Sequence, residues 1–317
     1  MAVISKSISD AASHLSKGHL IGIPTETVYG LAGNALDPDV VINIFKVKER
    51  PSFDPLIVHT DSIGKAKSFI KAFPEEALRL ADHFWPGPLT IVLPKRNIIP
   101  DIVTSGLENV AIRIPNHDLT LELLAQLDFP VAAPSANPFG YVSPTSTEHV
   151  NEHLGEKIPF ILDGGPTRIG IESTIVAFIE GKKKVLRLGG VPLESLERVS
   201  GLFEIELNQS SNPQAPGMLE GHYSPKKKLL LGDIKAQLDQ YGSENVGILS
   251  LNRTYDQVNP EFQIQLSTSG DLNEAAKNLF ASMRKFDSMP VDLILAEEVP
   301  DTGLGRAIND RLRRAGN

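Results

Sequence analysis

Cysteine is absent from the 317 residues, so disulfides, thiolate metal sites and cysteine nucleophiles are excluded at the outset. No apolar run approaches the roughly 20 residues that a membrane-spanning helix needs. The N-terminus, MAVISKSISDAASHLSKGHL, lacks a basic start followed by a long apolar core, so no signal peptide is expected. A cytoplasmic location follows as the expectation. Positive charge is in deficit: 31 Lys and Arg stand against 39 Asp and Glu, for a net charge of −8. That argues against a protein that mainly coats nucleic acid. The chain has no Gly-rich loop ending in Lys-Ser/Thr, no Gly-x-Ser-x-Gly elbow, and no His/Asp/Glu set at metal-ligand spacing.

What is there is organised around Pro24–His59. The apolar run Leu20–Ile23 stops at a proline and gives way to Thr25, Glu26, Thr27 and Tyr29. Asp37-Pro38 then marks a helix start, since proline at the first helical position loses nothing by lacking an N–H. The helix runs into Lys48 and Arg50, and Pro51 ends it. Leu56-Ile57-Val58 follows as a short buried strand with His59 at its C-terminal end. Two polar strand ends bridged by a helix with a cationic exit describe a ligand site at the mouth of an α/β sheet.

Elsewhere the pattern predicts helices over 5–18, 62–72, 75–84, 118–127 and 147–154, and strands over 89–93, 110–114, 160–163, 173–176 and 185–189. This is a mixed α/β domain over 1–204 with a wide, partly antiparallel, twisted sheet. A Ser-, Asn-, Pro- and Gly-rich stretch within 205–227 reads as a linker. Beyond it, 228–317 alternates strands and helices as a smaller, mainly parallel, Rossmann-like α/β domain. Its Gly303-Leu304-Gly305 opens a helix, but Ile308 replaces the third glycine of a dinucleotide fingerprint, which leaves packing as the main reading.

The candidate site residues recur at strand ends. Lys48 and Arg50 on a rigid corner suit a polyphosphate, although a solvated helix end is the ordinary role of such a pair. On the view that they are helix-end cations, replacing either is expected to abolish turnover at little cost in stability. Arg113, between Ile112 and Ile114, suits carboxylate capture or simple exposure. Arg187, between Leu186 and Leu188, repeats that pattern. Ser135 and Asn137 lie in a turn between prolines that is itself a common Asx/Pro structure. Ser173 opens a strand. Thr27, His59 and Ser143 are uninformative one by one.

Jointly these residues match a family. Pro24-Thr25-Glu26-Thr27-Val28-Tyr29-Gly30-Leu31, Lys48-x-Arg50-Pro51, Pro134-Ser135-Ala136-Asn137, Glu172-Ser173-Thr174-Ile175-Val176 and Leu186-Arg187-x-Gly189 resemble the YrdC/Sua5 family, in its longer Sua5 type. The resemblance implies a threonylcarbamoyl-AMP synthase, which joins L-threonine, bicarbonate (or CO2) and ATP into the adenylate plus pyrophosphate, with Mg2+ on the ATP. That product feeds t6A modification at tRNA position 37, and tRNA or proteins of the t6A machinery are the partners it allows. It further implies that Lys48, Arg50, Ser135 and Asn137 hold the phosphates, with Ser143, Arg187 and Tyr223 as further ATP contacts. Asp54 and Asn109 align as additional nucleotide contacts. Thr27, His59, Arg113 and Ser173 are implied as the threonine pocket, and the linker as a lid. Glu49 departs from the glycine common between Lys48 and Arg50, and Glu220 from the basic and aromatic residues usual before His222. A double-stranded RNA-binding module of the same fold, and a carbamoyl transfer to another acceptor, are the competing readings.

Overall fold

The structure, a computed structural model, describes residues 1–179, 181–207 and 223–316. Glu220, His222 and most of the expected linker and lid lie outside these residues. The described chain forms two compact units. One comprises 1–139, 144–168 and 172–207; the other comprises 140–143, 169–171 and 223–316. Two short segments from the N-terminal part of the sequence therefore belong to the second unit, an arrangement that contiguous boundaries do not foresee.

The first unit is built on an 11-stranded mixed sheet in the order β1-β8-β2-β3-β7-β4-β6-β5-β9-β10-β11. Its strands are β1 (Val3–Ser5), β2 (Ile21–Ile23), β3 (Gly30–Asn34), β4 (Ile57–His59), β5 (Leu89–Pro94), β6 (Asn109–Arg113), β7 (Val131–Ala132), β8 (Phe160–Leu162), β9 (Thr174–Ile179), β10 (Lys182–Arg187) and β11 (Glu204–Ile205). Three features differ from the sequence expectation. The helix expected over 5–18 is Ile8–Ser16 (α1), started by the Ser7 side chain accepting from the Asp10 N–H, and Val3–Ser5 is an edge strand paired with β8. The polar stretch after β2 returns through β3, Gly-Leu-Ala-Gly-Asn, which pairs with β2 and β7. Helix Leu193–Ser200 was not foreseen. Nothing local favours a strand in β3. Its two neighbours supply the hydrogen bonds, and a Cβ at Gly33 would sit 2.6 Å from Leu20 and 2.7 Å from Val40, so glycine lets α2 (Pro38–Lys48) pack on it.

Helix α2 begins as expected, with the Asp37 side chain accepting from the Asp39 and Val40 N–H groups and Pro38 at its first turn. It ends at Lys48, two residues before Arg50. Glu49 adopts the left-handed conformation, φ 56° and ψ 34°, which is the helix C-terminal position that glycine fills most readily. The family's usual glycine there thus has a backbone reason. Glu49 itself is at the surface, 3.2 Å from Lys157.

The second unit carries an all-parallel four-stranded sheet of Lys228–Leu231 (β12), Val246–Ser250 (β13), Gln263–Gln265 (β14) and Leu293–Ala296 (β15), ordered β12-β15-β13-β14. Helix α11, Gly305–Ala315, closes it. A Cβ at Gly305 would lie 1.9 Å from the Pro300 carbonyl oxygen, whereas at Gly303 (φ +54°) nothing stands within 4 Å. The glycine pair therefore serves packing and a turn.

Gly305→Ala is expected to destabilise α11 by at least about 2 kcal/mol through this overlap, and Gly303→Ala by about 1 kcal/mol through left-handed strain. Hydrogen exchange of the α11 amides measures both, and equal effects would contradict the packing account.

Candidate active site

In the first unit, the end of α2 meets the turn after β7. Lys48 is 1% exposed. Its Nζ donates to the carbonyl oxygens of Ser135 and Asn137, each at 2.5 Å, and the Phe139 N–H donates back to the Lys48 carbonyl at 2.9 Å. The turn is fastened to the Thr25–Tyr29 loop by Leu31 N–H to Pro134 O and Ala136 N–H to Tyr29 O, with Gly30 bridged to Ser135. Three of the motifs thus converge. Lys48 stands at the end of α2 as expected, but it is not solvated: it is a buried donor that holds the turn together. Burial, then the neighbouring Arg50, push its ammonium well below the ordinary lysine range.

Arg50 is also buried. Nε donates to Asp54 O and Nη2 to Pro55 O, each at 3.0 Å, and Nη2 lies 2.8 Å from Asp54 Oδ2. Burial raises the Asp54 carboxyl, against the opposing pull of Arg50, Lys48 and Arg187. Asp54 is therefore the counter-ion of a cationic cluster, with its carboxylate directed at Arg50. Asn109 starts β6, beyond Ala111, which pairs with Ile57, and so lies toward the Asp54–Pro55 end of that pair.

A second group lies at the other end of β6. His59 and Arg113 are direct partners across β4 and β6. Arg113 Nε donates to Gly87 O at 3.2 Å, and its Nη2 lies 2.9 Å from Glu26 Oε2. Burial, then Arg113, depress the His59 imidazole to about 3, so the ring is neutral. Its Nδ1 sits 3.2 Å from Ile57 O; the proton that bond needs is on Nδ1, which leaves Nε2 an acceptor. The Thr25 hydroxyl donates to Val28 O at 2.6 Å and lies 2.8 Å from that of Thr27. Thr25 has one proton to give, so Thr27 donates to it and keeps acceptor capacity.

Arg187 joins the groups. The register between β9 and β10 shifts between Val185 and Arg187. Arg187 Nε donates to Ser173 O and Nη2 to Ser173 Oγ, both at 3.0 Å, while Ser173 Oγ lies 2.7 Å from Thr90 Oγ1. A Cβ at Gly189 would fall 2.3 Å from Glu172 O, so the glycine of the Leu-Arg-x-Gly motif lets the chain pass there. Thr90 and Glu26 were missed as site residues. Thr90 sits mid-strand and carries no signal; Glu26, an acid inside a run of hydroxyls, did carry one.

Ser143 and Tyr223 fall in the second unit. Ser143 O accepts from Arg284 Nε at 3.4 Å. The buried Tyr223 ring stacks on Phe280 with centroids 5.5 Å apart, and the Arg311 guanidinium lies 5.0 Å from its centre. Among the described residues, no group of three or more His, Asp or Glu could hold a metal ion, and no helix is long and apolar enough to cross a membrane.

A family model named Sua5_yciO_yrdC and described as "Telomere recombination" matches residues 13–189, and one described as "Threonylcarbamoyl-AMP synthase, C-terminal domain" matches 191–317. The threonylcarbamoyl-AMP synthase of Pyrococcus abyssi is 42% identical over 96% of this chain and 92% of its own length. That of Bacillus subtilis is 39% identical, over 97% and 92%. The crystal structure of P. abyssi Sua5 complexed with L-threonine superimposes with a TM-score of 0.91 at 40% identity, covering 99% of this chain and 98% of that one.

Two outcomes follow from the geometry. Lys48→Met is expected to lower stability by about 1–3 kcal/mol as well as to abolish turnover, because it leaves two buried carbonyls without a donor; an unchanged unfolding midpoint would restore the helix-end reading. His59 binds a proton more weakly folded than unfolded. The stability linked to it is complete above pH 6.5 and is lost as the pH falls toward about 3. Urea unfolding across that window should fall less steeply for His59→Gln than for the wild type, and equal slopes would contradict burial of a neutral ring.

Proposed function

The chain belongs to the Sua5 family, and from that premise we infer that it is a threonylcarbamoyl-AMP synthase working through the two residue groups described above. L-threonine, bicarbonate or CO2, and ATP give L-threonylcarbamoyladenylate and pyrophosphate. The threonine amine adds to CO2 and sheds a proton, forming a carbamate. A carbamate oxygen then bonds to the α-phosphorus as the bond to pyrophosphate breaks. That chemistry requires no covalent enzyme intermediate. It requires two reactants held in line and positive charge where the phosphates develop it.

The observation that carries the assignment of roles is the company Lys48 keeps. Its partners are backbone carbonyls, and carbonyls do not neutralise its charge. Lys48, Arg50 and Arg187 all act on Asp54, whose carboxylate is directed at Arg50. A polyphosphate supplies the missing counter-charge and favours the ammonium form that burial opposes. Two of the three Lys48 protons are committed, which leaves one to point at a phosphate. Ser135 and Asn137 present the turn beside it, Asp54 fixes Arg50, and Asn109 lies toward the same end. ATP arrives as its Mg2+ complex, the metal being carried by the phosphates and offsetting their charge.

The threonine pocket is Arg113 on the carboxylate, neutral His59 as an acceptor for the side-chain hydroxyl, and Thr27 and Ser173 as further hydroxyl partners. Ser173 is held by Arg187, so the nucleotide and amino-acid groups share a residue. A carbamate hydrolyses readily, so the reaction gains from a site that excludes water. The adenylate is then consumed in t6A formation on tRNA in the cytoplasm.

Pyrophosphate release by the purified protein with ATP, Mg2+ and bicarbonate should require L-threonine and be much weaker with serine. Release that is independent of the amino acid, or absent with every amino acid, would refute the assignment.

A further inference from the structure

Glu26 takes no part in the mechanism above, yet only 2% of it is exposed. Its Oε2 lies 2.9 Å from Arg113 Nη2, and Arg113 is itself 4% exposed. Among the described residues, neither Glu26 oxygen has a well-formed hydrogen-bond donor. The contact is one of charge, and Arg113 is the partner that compensates a desolvated carboxylate. A guanidinium stays charged in a protein, so the converse also holds. Removing the acid would leave a buried, unpaired cation, which is strongly unfavourable. Beyond this contact, Arg113 is anchored by the Gly87 carbonyl through Nε. One hydrogen bond on Nε leaves the far end of a long side chain free to turn, and the second contact stops it.

On its other side Glu26 borders a cavity of about 520 Å³, lined also by Thr25, His117, Gly164, Thr167 and Arg168. The Thr25 hydroxyl, which receives the Thr27 and Val28 N–H groups, shapes the turn that points Glu26 inward.

We propose that Glu26 is the positioning residue of the carboxylate site: its charge fixes the Arg113 guanidinium and aims the remaining donors at the amino-acid substrate. This rests on the reading that Arg113 binds the threonine carboxylate. Pre-organising the arginine removes from binding the cost of ordering a rotamer-rich side chain, and the neutral pair keeps the site from burying a lone charge before substrate arrives. The consequence is specific to the amino acid. Threonine affinity depends on Glu26, while ATP, held by Lys48 and Arg50, does not.

The test compares Glu26→Gln, which keeps size and removes charge, with Glu26→Ala, which opens space onto the cavity. Threonine KM should rise about 10-fold or more in both, with kcat and ATP KM changing less than about 3-fold. Formate, a carboxylate small enough for the vacated space, should lower the threonine KM of Glu26→Ala but not of Glu26→Gln, whose amide fills it. An unchanged threonine KM in Glu26→Gln, or a raised KM in Glu26→Ala that formate leaves alone, overturns the proposal. Should Glu26→Ala fail to fold, Glu26→Gln decides alone. Arg113→Gln separates the two layers. If it leaves threonine KM unchanged, the carboxylate reading itself fails. If it raises KM while both Glu26 variants behave as the wild type, the positioning role alone fails.

Discussion

The ammonium of Lys48, buried between the carbonyls of Ser135 and Asn137, is the contact on which the rest of the site depends. It closes the gap between the end of α2 and the turn after β7, two segments nearly ninety residues apart in sequence. Burying an ammonium whose hydrogen-bond partners are neutral carbonyls is unfavourable. That it persists reflects the convergence of several backbone ties on the same corner: Phe139 to Lys48, Leu31 to Pro134, Ala136 to Tyr29. In the proposed function the same cost makes the corner receptive to a polyphosphate, which brings negative charge to it.

Charge is managed differently at the two ends of the site. Around Asp54 stand three cations, Lys48, Arg50 and Arg187. Around Arg113 the count is even, with Glu26 opposite it and a neutral His59 beside it. A net positive corner suits the triphosphate. An ion pair with spare donors suits a zwitterion, whose carboxylate needs directional hydrogen bonds more than net attraction. Arg187 and Ser173 lie between the two, so a shift at one end is felt by a hydroxyl at the other.

The order of the elements was largely legible. Helix 75–84 and helix 147–154 stand where their apolar period puts them, and the second unit alternates parallel strands and helices as its pattern requires. The candidate site residues stand out in the sequence as recurrent cations, hydroxyls and amides at strand ends and as motifs of the Sua5 family, and the structure brings Lys48, Ser135 and Asn137 to one corner. The misses share one cause. β3 is a glycine-containing stretch made into a strand by its neighbours, the short edge strand β1 exists through β8, and Thr90 matters through Ser173. None of these has a local signature, because the partner that creates the role lies far along the chain.

The sequence by itself determined the chemistry on offer, namely no thiol, no acidic metal cage, and a set of arginines, lysine and hydroxyls in five ordered motifs. It also determined where α2 begins, since Asp37-Pro38 is a local capping device. Only the tertiary structure decided that Lys48 is buried, that Asp54 answers Arg50, that Glu26 answers Arg113, and that Arg187 holds Ser173. Hydrogen-bond capping reads along a few residues, whereas pairing of buried charges depends on which distant segments the sheet brings within 3 Å or so of one another.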